Sequence, residues 1–118
     1  MRRSQTSIQP DFDWQQLRQL AGEDADFETE LLTMFLADAD DSLQQLGAAI
    51  ASEDIQATED LAHSLRGASA NVGAIALAQV ASQIENLARN GEVTGTAELL
   101  GQLHYYCQNI QLQLRNRA

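Results

Sequence analysis

From residue 14 onward, apolar residues recur three and four positions apart, the spacing of one face of an α-helix, and no segment alternates with period two. Trp14, Leu17, Leu20 and Ala21 form a short first stripe that stops at Gly22. Asp24 offers a cap for a longer second helix, whose stripe runs Leu32, Phe35/Leu36, Ala39, Leu43, Leu46 and Ile50. Ser52, Glu53 and Asp54 break that pattern and can cap a third helix, with Ile55, Leu61/Ala62, Leu65, Ala68/Ser69 and Val72 inward. Asn71-Val72-Gly73 is a turn signal, because Asn and Gly tolerate the left-handed backbone that ends helices. A fourth helix carries Leu77, Val80/Ala81, Ile84 and Leu87 and closes at Asn90-Gly91. Thr94-Gly95-Thr96 can start a fifth, with Leu99/Leu100, Leu103, Cys107, Ile110 and Leu114. Connections this short favour antiparallel neighbours. The pattern therefore predicts an all-α fold, an antiparallel up-down four-helix bundle preceded by a short extra helix. Polar residues 1–10, ending at Pro10, read as a flexible arm, and residues 11–118 as one domain.

Composition supports helix throughout: 18 Ala, 16 Leu and 14 Gln in 118 residues, with a single proline. Seven arginines against 17 acids give a net charge of −10, which disfavours a nucleic-acid backbone as partner. No apolar run approaches the roughly 20 residues needed to span a bilayer, and nothing resembles a signal peptide. A lone Cys107 excludes an internal disulfide and fits a reducing cytoplasm. Two histidines and one cysteine are too few for structural zinc. In the acidic run Asp38, Asp40, Asp41, only Asp38 and Asp41 share a helix face, with no histidine or third acid in phase. The run reads as a solvated face, so no metal and no bound cofactor is expected. Met1 and the short arm favour a free-standing protein over a module of a larger sensor, and a monomer is expected.

His63 does not fit its helix. It lies two positions from both Leu61 and Leu65, and so points away from the core stripe. Arg66 and Gly67 follow three and four residues later on the same outward face, and Ala70 and Ala74 continue it. A glycine inside a helix costs roughly 1 kcal/mol against alanine, which suggests that something must approach closely at Gly67. With the hairpin centred near Ala74, His63 and Glu85 each stand 11 residues from the turn and should face one another, about 16 Å along their helices. A carboxylate there can accept the Nδ1 proton of His63 and leave Nε2 as a nucleophile. By itself this geometry fits an idle surface histidine as well. His104 has no partner in phase and reads as a packing or surface residue.

The string Ala62-His63-Ser64-Leu65-Arg66-Gly67-Ala68-Ser69-Ala70-Asn71-Val72-Gly73-Ala74 resembles the signature of histidine-containing phosphotransfer (HPt) domains, H-x-L-K-G-[SA]-[SA]-x-x-[LVI]-G-A. That signature is followed by a helix with an L-E or I-E pair, here Ile84-Glu85, and Phe35 and the approach from Asp54 to His63 also look similar. The resemblance covers about residues 12–116, its specific part 62–85. It implies a phosphocarrier, not an autonomous kinase, in a multistep two-component phosphorelay. In such a relay the histidine takes a phosphoryl group from a receiver-domain aspartyl-phosphate and passes it to another receiver. Residue by residue it implies His63 as phosphoacceptor through Nε2 and Arg66, in place of the commoner lysine, beside the phosphoryl oxygens. Glu85 would orient His63, and Gly67, Ala70 and Ala74 would make the docking strip. Its implied partners are response-regulator receivers and a sensor or hybrid histidine kinase, with magnesium on the receiver. An HPt-like docking module without phosphotransfer is the alternative.

Charge distribution bears on the landing site. Residues 1–10 carry +2, residues 11–60 carry −13, and residues 61–118 carry +1. A receiver's acidic pocket would be repelled by a uniformly acidic carrier, and the neutral second half removes that objection.

Overall fold

The structure is a computed structural model and describes residues 11–117. Residues 1–10, read above as an arm, lie outside the described residues. Five helices follow one another: α1 (Trp14–Leu20), α2 (Ala25–Ala51), α3 (Ile55–Val72), α4 (Ile75–Arg89) and α5 (Thr96–Arg117). No strand occurs among the described residues, and none of their helices is long and apolar enough to cross a membrane.

Three aspartates begin the first three helices. Asp13 accepts the Gln16 N–H, Asp24 those of Asp26 and Phe27, and Asp54 that of Ala57. Each satisfies donors that a helix start leaves without intrahelical partners. α3 ends on Gly73 at φ +93°, in the left-handed region. α4 starts at Ala74 with no side-chain cap. The N-terminal segment supplies what is missing there. The Asp11 carbonyl accepts the Ala76 N–H at 3.1 Å, and the Asp13 N–H donates to Gly73 O at 2.8 Å. Gln16 Nε2 donates to the Ala70 and Asn71 carbonyls at 2.7 and 3.1 Å, capping the end of α3.

α2 packs on α3 and α5, and α4 on the same two, so these four helices enclose a common core; α1 touches α2 and α3. Leu17, Leu32, Leu43, Leu46, Leu77, Ile84 and Leu103 are fully buried there. Phe12 joins them against Trp14, with ring centroids 4.4 Å apart, so the packed chain starts before α1. Five of the buried positions of α3 and α4 are small (Ala62, Ser69, Ala76, Ala81, Ala88), which lets the two helices approach closely. That proximity matters for the site below, because two side chains must meet between them.

One expectation needs correction. Ala74 does not continue the outward face of α3. The helix stops at Val72, the left-handed Gly73 redirects the chain, and Ala74 is 1 % exposed, beyond the reach of a docking partner. Cys107, on the inward stripe of the fifth helix, packs at the edge of the core and is only half-buried, lining a groove between α2 and α5 with Leu36, Asp40 and His104.

Candidate functional site

α3 and α4 place opposite kinds of side chain next to each other. Leu65 and Ala62 turn inward, which leaves the His63 side chain 62 % exposed. On α4, Glu85 follows Ile84 and is drawn inside with it; its side chain is 4 % exposed. A carboxylate that deep must be compensated. Three groups do so. His63 Nδ1 lies 2.7 Å from Oε2, Arg89 Nη2 donates to the same oxygen at 2.8 Å, and Arg66 Nε stands 2.8 Å from Oε1. Burial pushes the Glu85 carboxyl up, but the His63 hydrogen bond, Arg66, His63 and Arg89 together hold it below the ordinary carboxylate value.

The 2.7 Å contact fixes the tautomer. A carboxylate oxygen and a bare ring nitrogen would meet lone pair against lone pair, so Nδ1 carries the proton and donates it to Glu85. Nε2 then holds the lone pair on the exposed side of the ring and joins no hydrogen bond among the described residues. Arg66 Nη2 also stands 3.0 Å from Nδ1, but two donors face each other there.

The sequence-derived residues are distributed as follows. His63 and Glu85 meet, as their equal distance from Ala74 predicts. Arg66 is beside both, folded onto Glu85. Gly67 is exposed on the same face, and a Cβ built there would meet nothing within 4 Å, so packing inside this chain does not demand glycine. Ala70 is exposed as well; Ala74 is not. Arg89 escaped the sequence reading although its spacing of four from Glu85 on one helix was a signal. It also reaches the half-buried Glu59, Nε to Oε2 3.4 Å. His104 is exposed, and the described residues contain no cluster of three or more His, Cys, Asp or Glu able to hold a metal ion.

With an exposed histidine braced by a buried carboxylate between two adjacent helices, comparison with known families is decisive. The family model for the Hpt domain matches residues 30–113, which include His63, Arg66, Glu85 and Arg89. The chain belongs to the Hpt domain family. Among solved structures it is similar to histidine-containing phosphotransfer protein B (HptB) from Pseudomonas aeruginosa PAO1. That match has 30 % identity and a TM-score of 0.85 over 93 % of this chain and 96 % of that one. The HPT domain from the Hpt sensor hybrid histidine kinase from Shewanella shares the fold at 16 % identity, with a TM-score of 0.69 over 89 % and 91 % of the two chains. Comparison with curated proteins gives no match. This chain is a histidine phosphotransfer protein of a two-component phosphorelay.

Proposed function

We propose that His63 is the residue that carries the phosphoryl group. The observation that supports this most is the pairing of an exposed Nε2 with an Nδ1 proton anchored on buried Glu85. In the forward step the Nε2 lone pair forms a bond to phosphorus. The bond from phosphorus to the donor's aspartyl oxygen breaks, and its electron pair stays on the released carboxylate. Nδ1 keeps its proton, so the phosphorylated ring is cationic and faces the Glu85 carboxylate. In the reverse sense a receiver aspartate attacks phosphorus, and Nε2 departs as the lone pair of a neutral imidazole. Phosphoryl transfer needs alignment and charge neutralisation more than covalent machinery. The carrier therefore supplies a positioned nucleophile, while magnesium and the acidic pocket belong to the receiver.

The fold behind this reading is an antiparallel four-helix bundle of α2 to α5 with α1 as an extra element, acting as a cytoplasmic monomer. Its partners are receiver domains and the sensor or hybrid kinase that feeds them, and it is a phosphocarrier rather than an autonomous kinase. Gly67 and Ala70 form the strip on which a receiver lands. The test is incubation with a radiolabelled phospho-receiver and magnesium. Label should pass to the protein in an acid-labile, alkali-stable form and be absent from His63→Gln. Label that survives His63→Gln removes the assignment, and no transfer from any receiver favours a docking module instead.

A further inference from the structure

We infer that Arg89, not Arg66, is the positioning residue that holds Glu85 on His63, which leaves Arg66 as the cation that moves to the phosphoryl group. The inference rests on the reading of His63 as phosphoacceptor. Two arginines meet one buried carboxylate, and their bonding differs. Arg89 makes an aligned hydrogen bond to Oε2 at 2.8 Å and touches Glu59 at 3.4 Å with Nε, so its guanidinium is anchored at two points. Its backbone lies one turn beyond Glu85 on α4.

Arg66 is placed less well. Its Nε lies 2.8 Å from Oε1, yet the N–H is not aligned with that oxygen and finds no hydrogen-bond acceptor, although the atom is buried. Its Nη2 stands 3.0 Å from Nδ1, which already carries a proton directed at Glu85. The guanidinium is thus attracted by charge but keeps one buried N–H without an acceptor, an arrangement that is costly to keep.

Phosphorylation changes the balance. Before it, Glu59 and Glu85 offset Arg66 and Arg89 around a neutral ring. A phosphoryl group on Nε2 adds about two negative charges and acceptor oxygens beside Arg66. The ill-bonded guanidinium then has a better partner, and leaves Oε1 for it. Glu85 stays compensated only because Arg89 remains. Without Arg89, a buried carboxylate would depend on the imidazole alone, or would retain Arg66 and withhold it from the phosphoryl group. His63 touches Arg66 on α3 and Glu85 on α4; Arg89 on α4 joins them through Glu85 and is itself paired with Glu59 on α3.

The test separates the two arginines before and after phosphorylation. In the unphosphorylated protein, two-bond ¹H–¹⁵N NMR correlations of the His63 ring report the tautomer. Wild type and Arg66→Ala should both show Nδ1–H. Arg89→Ala should shift the ring toward the Nε2–H form that imidazole otherwise favours, and Arg89→Lys should restore Nδ1–H. Circular dichroism checks folding, and Arg89→Gln serves as the neutral variant of similar size if the alanine variant loses helix. After phosphorylation, Arg66→Ala should shorten the phosphohistidine lifetime by about three-fold or more, while Arg89→Lys keeps it. A folded Arg89→Ala or Arg89→Gln that retains wild-type Nδ1–H overturns the inference, as does loss of that tautomer in Arg66→Ala. The tautomer readout needs no phosphoryl transfer, so it stands even if label appears on a residue other than His63.

Discussion

A buried carboxylate and an exposed imidazole define the chemistry at the scale of single residues. Because Glu85 is held below the ordinary carboxylate value, it stays charged as pH drops through the range where an unfolded glutamate takes up its proton. The stability it contributes is fully present above that range and is lost only as pH falls through the lowered folded value. We predict that acid unfolding of Glu85→Gln, followed by circular dichroism, shows a shallower loss of stability in this acid window than wild type. An identical profile would contradict the lowered carboxyl. Burial, with Asp40 adding to it, pushes the Cys107 thiol up to about 11. Near pH 8 its thiolate fraction should be about one hundredth of that of a cysteine at the ordinary value, and alkylation should be slower in proportion. Alkylation at the rate of the unfolded protein would refute this. Gly67→Ala should raise stability by about 0.5–1 kcal/mol, since nothing crowds the added methyl, while slowing transfer from a receiver. A gain in stability with unchanged transfer would show that no partner needs the space. The sequence made the meeting of His63 and Glu85 legible because both stand 11 residues from Ala74, in the turn between α3 and α4. It did not reveal Arg89, because Arg89 meets Glu85 and not His63, and only the burial of Glu85 makes a second cation necessary.

At the scale of elements, the turn between α3 and α4 sets the register that brings those residues together. Gly73 has φ +93°, and a Cβ there would stand 2.6 Å from the Asp13 carbonyl oxygen. Gly73→Ala should therefore destabilise the protein by about 2 kcal/mol or more, combining left-handed strain with the clash. A thermal midpoint matching wild type would rule this out. Within the fold, the close backbone approach is at Gly73, while Gly67 stays open for a partner. Helix starts at Asp24 and Asp54 were readable because a capping aspartate has a side-chain signature. The stitching of residues 11–16 to the turn was not, since bonds from Gln16 and Asp13 to backbone carbonyls leave no pattern in the sequence. The same gap explains Ala74: a helical wheel carried past the end of α3 assigns a face to a residue that has already left the helix.

Across the whole molecule, charge is segregated. Exposed acids line α2 and its flanks, among them Asp26, Glu30, Asp38, Asp40, Asp41 and Glu53. The histidine lies between α3 and α4, where Arg66 and Arg89 offset Glu59 and Glu85. An acidic receiver pocket should be tolerated at the balanced face and repelled elsewhere. We predict that Ala70→Glu, an added acid on the landing strip, slows transfer about ten-fold at low salt, while Asp38→Asn and Asp41→Asn change it by less than about two-fold. Equal effects on both faces would argue against a landing site at α3.

The function of the molecule turns on which atom receives the phosphoryl group. NMR of the uniformly ¹⁵N-labelled protein, after phosphorylation by a receiver, resolves the two ring nitrogens of His63 and their coupling to phosphorus. Phosphorus is expected on Nε2, with the Nδ1 proton retained on the ring. Phosphorus on Nδ1, or on any residue other than His63, would contradict this assignment.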